Sequence, residues 1–266
     1  MRLLLIIVLI FFSSPHQSWS EQLPPAAESS MVRIPAGNYK MGFKIDQALS
    51  ECLKHNDPCK RKWFEDEEPI HTIYLDSFLM DKFEVTQKEF SRKTGNNPSE
   101  FKGDSLPVEK VTWQEAQQYC ESTGKRLPTE AEWEVAAKGG KEIIYSWGNE
   151  VQSGKANFCD QHCEKRWNAK QFRDGFATTA PVRSFPPNGY GLYDMGGNVY
   201  EWVFDWYGKE YYGHSPTKNP KGPSTGKHKV MRGGSWINYA VGTRPTDRTD
   251  AKPGKRLNFA GFRCAN

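Results

Sequence analysis

Asp194 and Glu201 are the carboxylates best placed in this chain to hold a metal ion. They lie in the run Asn188-Gly-Tyr-Gly-Leu-Tyr-Asp-Met-Gly-Gly-Asn-Val-Tyr-Glu-Trp-Val-Phe-Asp-Trp206, which packs four glycines and three carboxylates into nineteen residues. So much glycine excludes a regular helix, and the interruptions exclude a long strand. Gly196 and Gly197 let the backbone turn between the two acids, so main-chain carbonyls can join the same ion. An irregular loop builds a calcium site in this way, from a few hard carboxylate oxygens completed by backbone oxygens. A second candidate is His162, between Cys159 and Cys163, but a fourth zinc ligand at suitable spacing is missing. The chain has no phosphate-cradling glycine loop, no Gly-x-Ser-x-Gly elbow and no His-Glu-x-x-His helix, and its six histidines do not cluster. The usual hydrolase chemistries therefore have no support.

These residues need a scaffold, and its helices are concentrated in one stretch. Thr86-x-x-Glu89, Thr112-x-x-Glu115 and Thr129-x-x-Glu132 are capping boxes. Glycine stops each helix, at Gly95, at Gly124 and at Gly139-Gly140. In the second helix Trp113, Ala116 and Cys120 fall on one face, which should pack inward. Before this stretch, residues 31–42 alternate apolar and polar around a Pro-Ala-Gly turn and read as two short strands; residues 71–84 alternate again. Between them, residues 47–68 are charged and read as a surface loop, its Glu65-Asp-Glu-Glu68 run a solvated face. After Gly140 the helical period almost vanishes, and turns, aromatics and short strands follow.

The chain has 266 residues, nine of them Trp, enough to bury a substantial core as one large domain. A net charge of +4, mild and scattered, gives no reason to invoke nucleic acid. Residues 1–20 read as a signal peptide: Arg2 is the positive region, residues 3–12 form an apolar run too short to span a bilayer comfortably, and Ser18-Trp-Ser20 offers a cleavage site. Residues 21–30 are then a Pro/Ala/Ser linker and residues 31–266 the domain. The expected location is periplasmic or extracellular, with no membrane attachment after cleavage. Six cysteines in an exported chain suggest disulfides, although six allow fifteen connectivities and spacing alone does not choose among them. Cys52/Cys59 and Cys159/Cys163 look like local loops, which leaves Cys120 and Cys264.

Five motifs occur in order: Gly124-Lys-Arg-Leu-Pro-Thr-Glu-Ala-Glu-Trp-Glu134, Pro186-Pro-Asn-Gly-Tyr-Gly-Leu-Tyr193, Gly197-Asn-Val-Tyr-Glu-Trp202, Arg232-Gly-Gly-Ser-Trp236 and Gly261-Phe-Arg-Cys264. Together they resemble the formylglycine-generating enzyme (sulfatase-modifying factor) family over residues 31–266. The resemblance implies an α+β, C-type-lectin-like fold with few helices, short strands and much irregular structure. It implies two structural calcium ions. One falls on the Asn157 side chain, the Phe158 carbonyl, Asp174 and the Phe176 carbonyl; the other falls on Asp194, the Gly197 and Val199 carbonyls and Glu201. Extra residues between Asn157 and Asp174, Cys159 and Cys163 among them, set this chain apart at the first site. The resemblance also implies a Cys120–Cys264 bridge.

The family's oxidases convert a substrate cysteine to formylglycine with copper, held by two cysteines three and eight positions after the Gly-Gly-Ser serine. That serine is Ser235 here, and the two positions hold Asn238 and Thr243. Neither side chain replaces a thiolate for soft Cu(I). The reading is an exported, calcium-stabilised binding or scaffold module for a protein or peptide ligand. Ser235, Asn238 and Thr243 are its pocket candidates, and Trp236, Arg244 and Arg248 its candidate contacts along a slot spanning residues 237–259, unless Trp236 is a core residue and the two arginines form salt bridges. The alternative is an oxidoreductase of the family, a formylglycine-generating oxidase or a peptide or secondary-metabolite tailoring enzyme, with a different active-site arrangement.

Overall fold

A computed structural model describes residues 30–55, 58–165 and 169–266. The expected signal peptide, residues 1–20, and nearly all of the linker lie outside the described residues. Two antiparallel strand pairs open the fold: β1 (Met31–Ile34) with β4 (Phe78–Asp81), and β2 (Gly37–Met41) with β3 (His71–Leu75). Between β2 and β3 lies α1 (Ile45–Lys54), followed by two short 3-10 turns at Arg61–Trp63 and Glu65–Glu67. Then come α2 (Gln87–Thr94), α3 (Trp113–Ser122) and α4 (Glu130–Lys138). A four-stranded sheet in the order β7-β6-β5-β8 closes the molecule, from β5 (Tyr200–Trp206), β6 (Lys229–Arg232), β7 (Arg248–Ala251) and β8 (Ala260–Gly261). Few helices, short strands and long irregular connections make this α+β architecture, as expected.

The three capping boxes form as read. In each, the Thr hydroxyl accepts from the backbone N–H three residues on, and the Glu side chain accepts from the cap N–H. Gly95 and Gly139 end α2 and α4 in the left-handed conformation, where a Cβ would be strained. Ala116 and Cys120 of α3 are fully buried and Trp113 partly so.

Strand β5 divides the core because its side chains alternate. Tyr200 and Trp202 enter a cluster with α2, α3, Phe262 and the Cys120–Cys264 bridge. Val203 enters the other cluster, with α4 and strands β1 to β4. Glu201 shares the Val203 face and meets Trp133 of α4, whose Nε1 donates to Glu201 Oε2 at 2.8 Å. The sheet thus aims Tyr200 and Glu201 to opposite sides. The disulfide joins α3 to the end of the chain across a separation of 144 residues. Loop closure of that length contributes on the order of 4–5 kcal/mol.

Residues 47–68 depart from the expected surface loop. Ile45, Ala48 and Cys52 form a narrow apolar stripe on α1, packed with Phe64 against Val241. The Cys52–Cys59 disulfide closes this segment. The acidic run is not a solvated face either: Asp66 and Glu67 are buried. Glu67 takes both ends of the Arg244 guanidinium, at 2.6 and 2.8 Å, across a sequence separation of 177. A partner so remote leaves no local trace, so the run reads as solvated although it is not.

Candidate functional site

Arg232 ends β6, and the Gly233-Gly-Ser235 turn follows it. A Cβ on Gly234 would collide with the Gly242 carbonyl, so only glycine lets this turn lie against the short 3-10 turn Ala240–Thr243. The close approach brings the three pocket candidates into one neighbourhood. Ser235 Oγ donates to Asn238 Oδ1 at 2.6 Å, and Asn238 Nδ2 donates to the Tyr200 hydroxyl at 2.8 Å. Thr243 is fully buried and donates to the Ala240 carbonyl at 2.7 Å. Burial pushes the Tyr200 hydroxyl far above its ordinary range, so it stays neutral. These residues form a neutral network whose donors and acceptors are matched to one another.

Copper does not fit here. The donors are hydroxyls and an amide, and soft Cu(I) selects thiolates. All six cysteines are consumed in Cys52–Cys59, Cys120–Cys264 and Cys159–Cys163.

The candidate contact residues lie inside the protein. Trp236 is 7% exposed, donates from Nε1 to the Asn258 carbonyl at 3.2 Å and meets Phe101 edge-on. Arg244 is held by Glu67 and lies over Phe64. Arg248 takes both oxygens of Glu130, at 2.7 and 2.9 Å, and lies over Tyr212 with its carbon 4.2 Å from the ring centre. The two arginines are therefore core ion pairs rather than open contacts for a ligand. Within residues 237–259, Ile237, Tyr239 and Phe259 are among the partly exposed side chains. A cleft of about 580 Å³ opens beside α1, lined by Lys40, Lys44, Phe43 and Ile144 among others, and shares no residue with this network.

The carboxylate loop is built differently. Asp194 and Asn198 both adopt positive φ, which short polar side chains tolerate, and Gly197 between them packs against the Asn157 carbonyl where a Cβ would clash. Asp194 Oδ2 accepts from the Arg183 N–H at 2.8 Å, while its Oδ1 is buried with no hydrogen-bond partner. Glu201 is bound by Arg263, with Nε at 2.8 Å from Oε2 and Nη2 at 2.7 Å from Oε1. A third acid, Glu84, was not among the sequence candidates. It is buried and accepts from Asn198 Nδ2 at 2.6 Å and from the Val199 N–H at 3.3 Å. Burial, then Asp194 and Glu201, push Glu84 well up, and burial raises Asp194 to about 6. Three carboxylates thus meet one guanidinium. Asp194 Oδ1 and this excess of negative charge fit a hard cation, whereas Glu201 could join it only by sharing its oxygens with Arg263.

The other proposed ligand group is also assembled. Asn157 Nδ2 donates to the Thr178 carbonyl and Asn198 Oδ1, while its Oδ1 is buried without a partner. Asp174 accepts from the Phe158 N–H at 3.0 Å and the Phe176 N–H at 2.8 Å. Burial raises Asp174 to about 7, against the pull of those N–H groups, and Asp160 adds to the rise. The Phe158 carbonyl accepts from the Asp160 N–H at 2.7 Å. The bound residue Asn198 ties the two carboxylate groups together, since its N–H donates to the Asn157 carbonyl and its Nδ2 to Glu84.

Sequence reasoning missed Glu84, Glu67, Glu130 and Tyr200. Tyr200 stands inside a quoted motif, and its place beside Glu201 in β5 was the available signal; the three glutamates have partners more than 100 positions away.

Residues 17–266 match the model of the sulfatase-modifying factor enzyme 1-like domain. The formylglycine-generating enzyme of Streptomyces coelicolor is 31% identical over 301 residues, covering 91% of this chain and 90% of that one. A Mus musculus protein named inactive C-alpha-formylglycine-generating enzyme 2 is 41% identical over 168 residues, 60% of this chain and 49% of that one. Among solved structures, Treponema denticola variable protein 1 superposes with a TM-score of 0.72 at 28% identity, covering 88% of this chain and 94% of that one. With its ordered motifs built into one sheet and one pair of carboxylate loops, and matched over nearly its whole length, the chain belongs to the formylglycine-generating enzyme (sulfatase-modifying factor) family.

Proposed function

We propose that this protein is an exported, calcium-stabilised binding or scaffold module that keeps the family fold without copper-thiolate oxidase activity. The observation that carries the reading is the closed Ser235–Asn238–Tyr200 network in the place the resemblance gives to the copper thiolates. A copper-thiolate centre needs soft sulfur donors, and here an amide and two hydroxyls stand instead and hydrogen-bond one another. A relative from Mus musculus is itself named an inactive formylglycine-generating enzyme, which supports a member of the family without the reaction. Three disulfides suit an oxidising compartment, and among the described residues no helix is long and apolar enough to cross a membrane.

Calcium would serve the two carboxylate groups. Asp194 and Asn157 each present a buried oxygen without a partner, and Asp194 and Asn198 hold positive φ in the loop they share. A peptide or protein ligand would be met by the rim of the slot, at Ile237, Tyr239 and Phe259.

Anaerobic titration with Cu(I) tests the reading together with an assay on a cysteine-containing sulfatase peptide. The expected result is weak copper binding and no aldehyde. Tight copper binding with turnover would remove the module reading and leave the oxidase.

A further inference from the structure

The Cys159–Cys163 disulfide closes a five-residue loop, and inside that loop lie Asp160 and His162. Neither belongs to the ligand set that the resemblance implies. Asp160, His162 and Asp174 nevertheless present ligand atoms that all lie within 4.8 Å of one another. The loop is held for this purpose from several sides. Asp160 is fully buried, and its Oδ1 accepts from the His162 N–H at 2.7 Å while its Oδ2 accepts from the Asp174 N–H. His162 Nδ1 lies 3.2 Å from both Asp160 oxygens. The Ala169 N–H donates to the Cys159 carbonyl at 2.8 Å.

An independent observation points to a ligand. Asn157 is 1% exposed, and its Nδ2 is satisfied by the Thr178 carbonyl and Asn198 Oδ1. Its Oδ1 is buried with no partner, and the N–H of the next residue, Phe158, is fixed on Asp174 Oδ2. An amide oxygen in that state is costly unless something electropositive meets it.

We propose that the disulfide loop converts the first cation position from an all-oxygen calcium site into a mixed nitrogen–oxygen site for a first-row transition divalent cation, with Asp160, His162 and Asp174 as ligands and Asn157 Oδ1 completing it. The inference rests on the reading that a cation occupies this position. Its new content is the imidazole. Calcium takes oxygen ligands, whereas imidazole suits zinc and its neighbours, and two carboxylates with one histidine are a borderline donor set. The Phe158 carbonyl, an expected calcium ligand, already accepts from the Asp160 N–H, so the loop that brings the new ligands also engages an old one. The loop is tied to the pocket as well: the Cys159 N–H donates to the Asn238 carbonyl at 2.9 Å. An ion here would steady the segment that carries Asn238.

The test is calorimetric titration of chelator-treated, dialysed protein with Zn²⁺ and separately with Ca²⁺, repeated on His162→Ala and Asp160→Asn. Zn²⁺ should bind more tightly than Ca²⁺. His162→Ala should weaken Zn²⁺ by roughly ten-fold or more and leave Ca²⁺ within about two-fold, because only the transition metal uses the imidazole. Asp160→Asn should weaken both. Zn²⁺ affinity unchanged in His162→Ala would overturn the proposal, and unaltered Ca²⁺ binding in the same protein would show that the calcium reading survives it. Co²⁺ bound to the native protein gives a second readout that needs no variant. A visible absorption band with a nitrogen ligand, lost on adding Zn²⁺, supports the proposal; a spectrum identical to hexaaqua Co²⁺ sinks it.

Discussion

Two sets of buried acids in this protein are treated in opposite ways. The glutamates around α4 and the Arg244 turn are matched with cations: Glu67 with Arg244, Glu130 with Arg248, and Glu134 with Arg232 at 2.5 Å and Lys138 at 2.8 Å. In the carboxylate loops, Glu84, Asp194 and Glu201 meet Arg263, and Asp160 and Asp174 meet His162. The charges respond accordingly. Burial pushes Glu134 up, but Lys138 and Arg232 outweigh it and hold it near 2. Burial also pushes Asp194 and Asp174 up, and there it outweighs the downward pull of the Arg183 N–H and Arg263 on Asp194 and of the Phe176 and Phe158 N–H groups on Asp174, so the two rise to about 6 and about 7. Burial alone therefore does not mark a site. Burial without a matching cation leaves a charge that a proton or an ion must supply, and only several such acids together can hold an ion.

Breaking a matched pair should give the largest effect. Arg248→Ala removes both guanidinium hydrogen bonds to buried Glu130 and leaves it only Arg232, whose Nη1 lies 3.6 Å from Oε1, and should cost about 3–5 kcal/mol in urea unfolding. The double variant Glu130→Gln/Arg248→Met should recover a large part of that loss. A single variant as stable as the native protein would show that these pairs are not what holds α4 to β7. The pH dependence follows from Glu134. Its folded value lies below the ordinary 4.5, so its contribution is complete above that pH and lost as pH falls toward 2. Glu134→Gln should flatten the stability curve across that acid window.

Removing cations from the unmatched region comes next. With calcium at about a hundred times its dissociation constant, a structural ion stabilises by about 2–3 kcal/mol, and a chelator should lower Tm correspondingly. Asp194→Gly is the sharper variant, because glycine accepts the φ of 56° at this position and removes the unpartnered oxygen. It should abolish much of the chelator response. Glu201→Ala would be ambiguous, since it also strands Arg263. A Tm indifferent to chelator in the native protein would count against both cation positions.

The difference between the two regions also explains what was legible in the sequence. The helices were readable because a capping box is a contact between residues three apart, and Thr86, Thr112 and Thr129 each announce one. The carboxylate loop was readable because Asp194, its glycines and Glu201 are contiguous in the chain. Its third acid was not, since Glu84 reaches Asn198 across 114 positions. Arg244 and Arg248 read either as ligand contacts or as salt-bridge residues, and nothing near them in sequence names Glu67 and Glu130 as the partners that decide it. Helix α1 hid behind its own charges, with the stripe of Ile45, Ala48 and Cys52 too narrow to stand out.

Glu109 reduces the unmatched case to one group. It is fully buried; Oε1 accepts from the Glu100 and Phe101 N–H groups, and Oε2 has no hydrogen-bond partner. Burial raises it to about 7, although those N–H groups pull the other way. A raised acid binds its proton more tightly in the folded state, so stability should fall as pH climbs from the ordinary 4.5 to about 7. Glu109→Gln keeps the acceptor and cannot ionise. It should remove that slope and leave the protein more stable than the native chain at pH 8, where the native carboxylate must ionise while buried. A variant less stable than the native protein at pH 8 would mean that the carboxylate has a cation unaccounted for.

The smallest effect should come from a pair that looks, by distance, as good as any in the core. Lys209 Nζ lies 2.7 Å from Glu65 Oε2, as close as Arg263 comes to Glu201, but both side chains are exposed. Water solvates each charge whether or not the pair forms, and holding two long side chains together costs entropy, so the gain is small and is screened by salt. Lys209→Ala should leave Tm unchanged within error at physiological ionic strength, and its neighbour Asp66, buried one residue away, should keep its bond from the Tyr207 hydroxyl. A fall in Tm approaching that of Arg248→Ala would mean that separation rather than burial sets the worth of an ion pair in this fold. The contrast between matched and unmatched acids would then lose its physical basis, because an exposed acid with a near neighbour would count as much as a buried one.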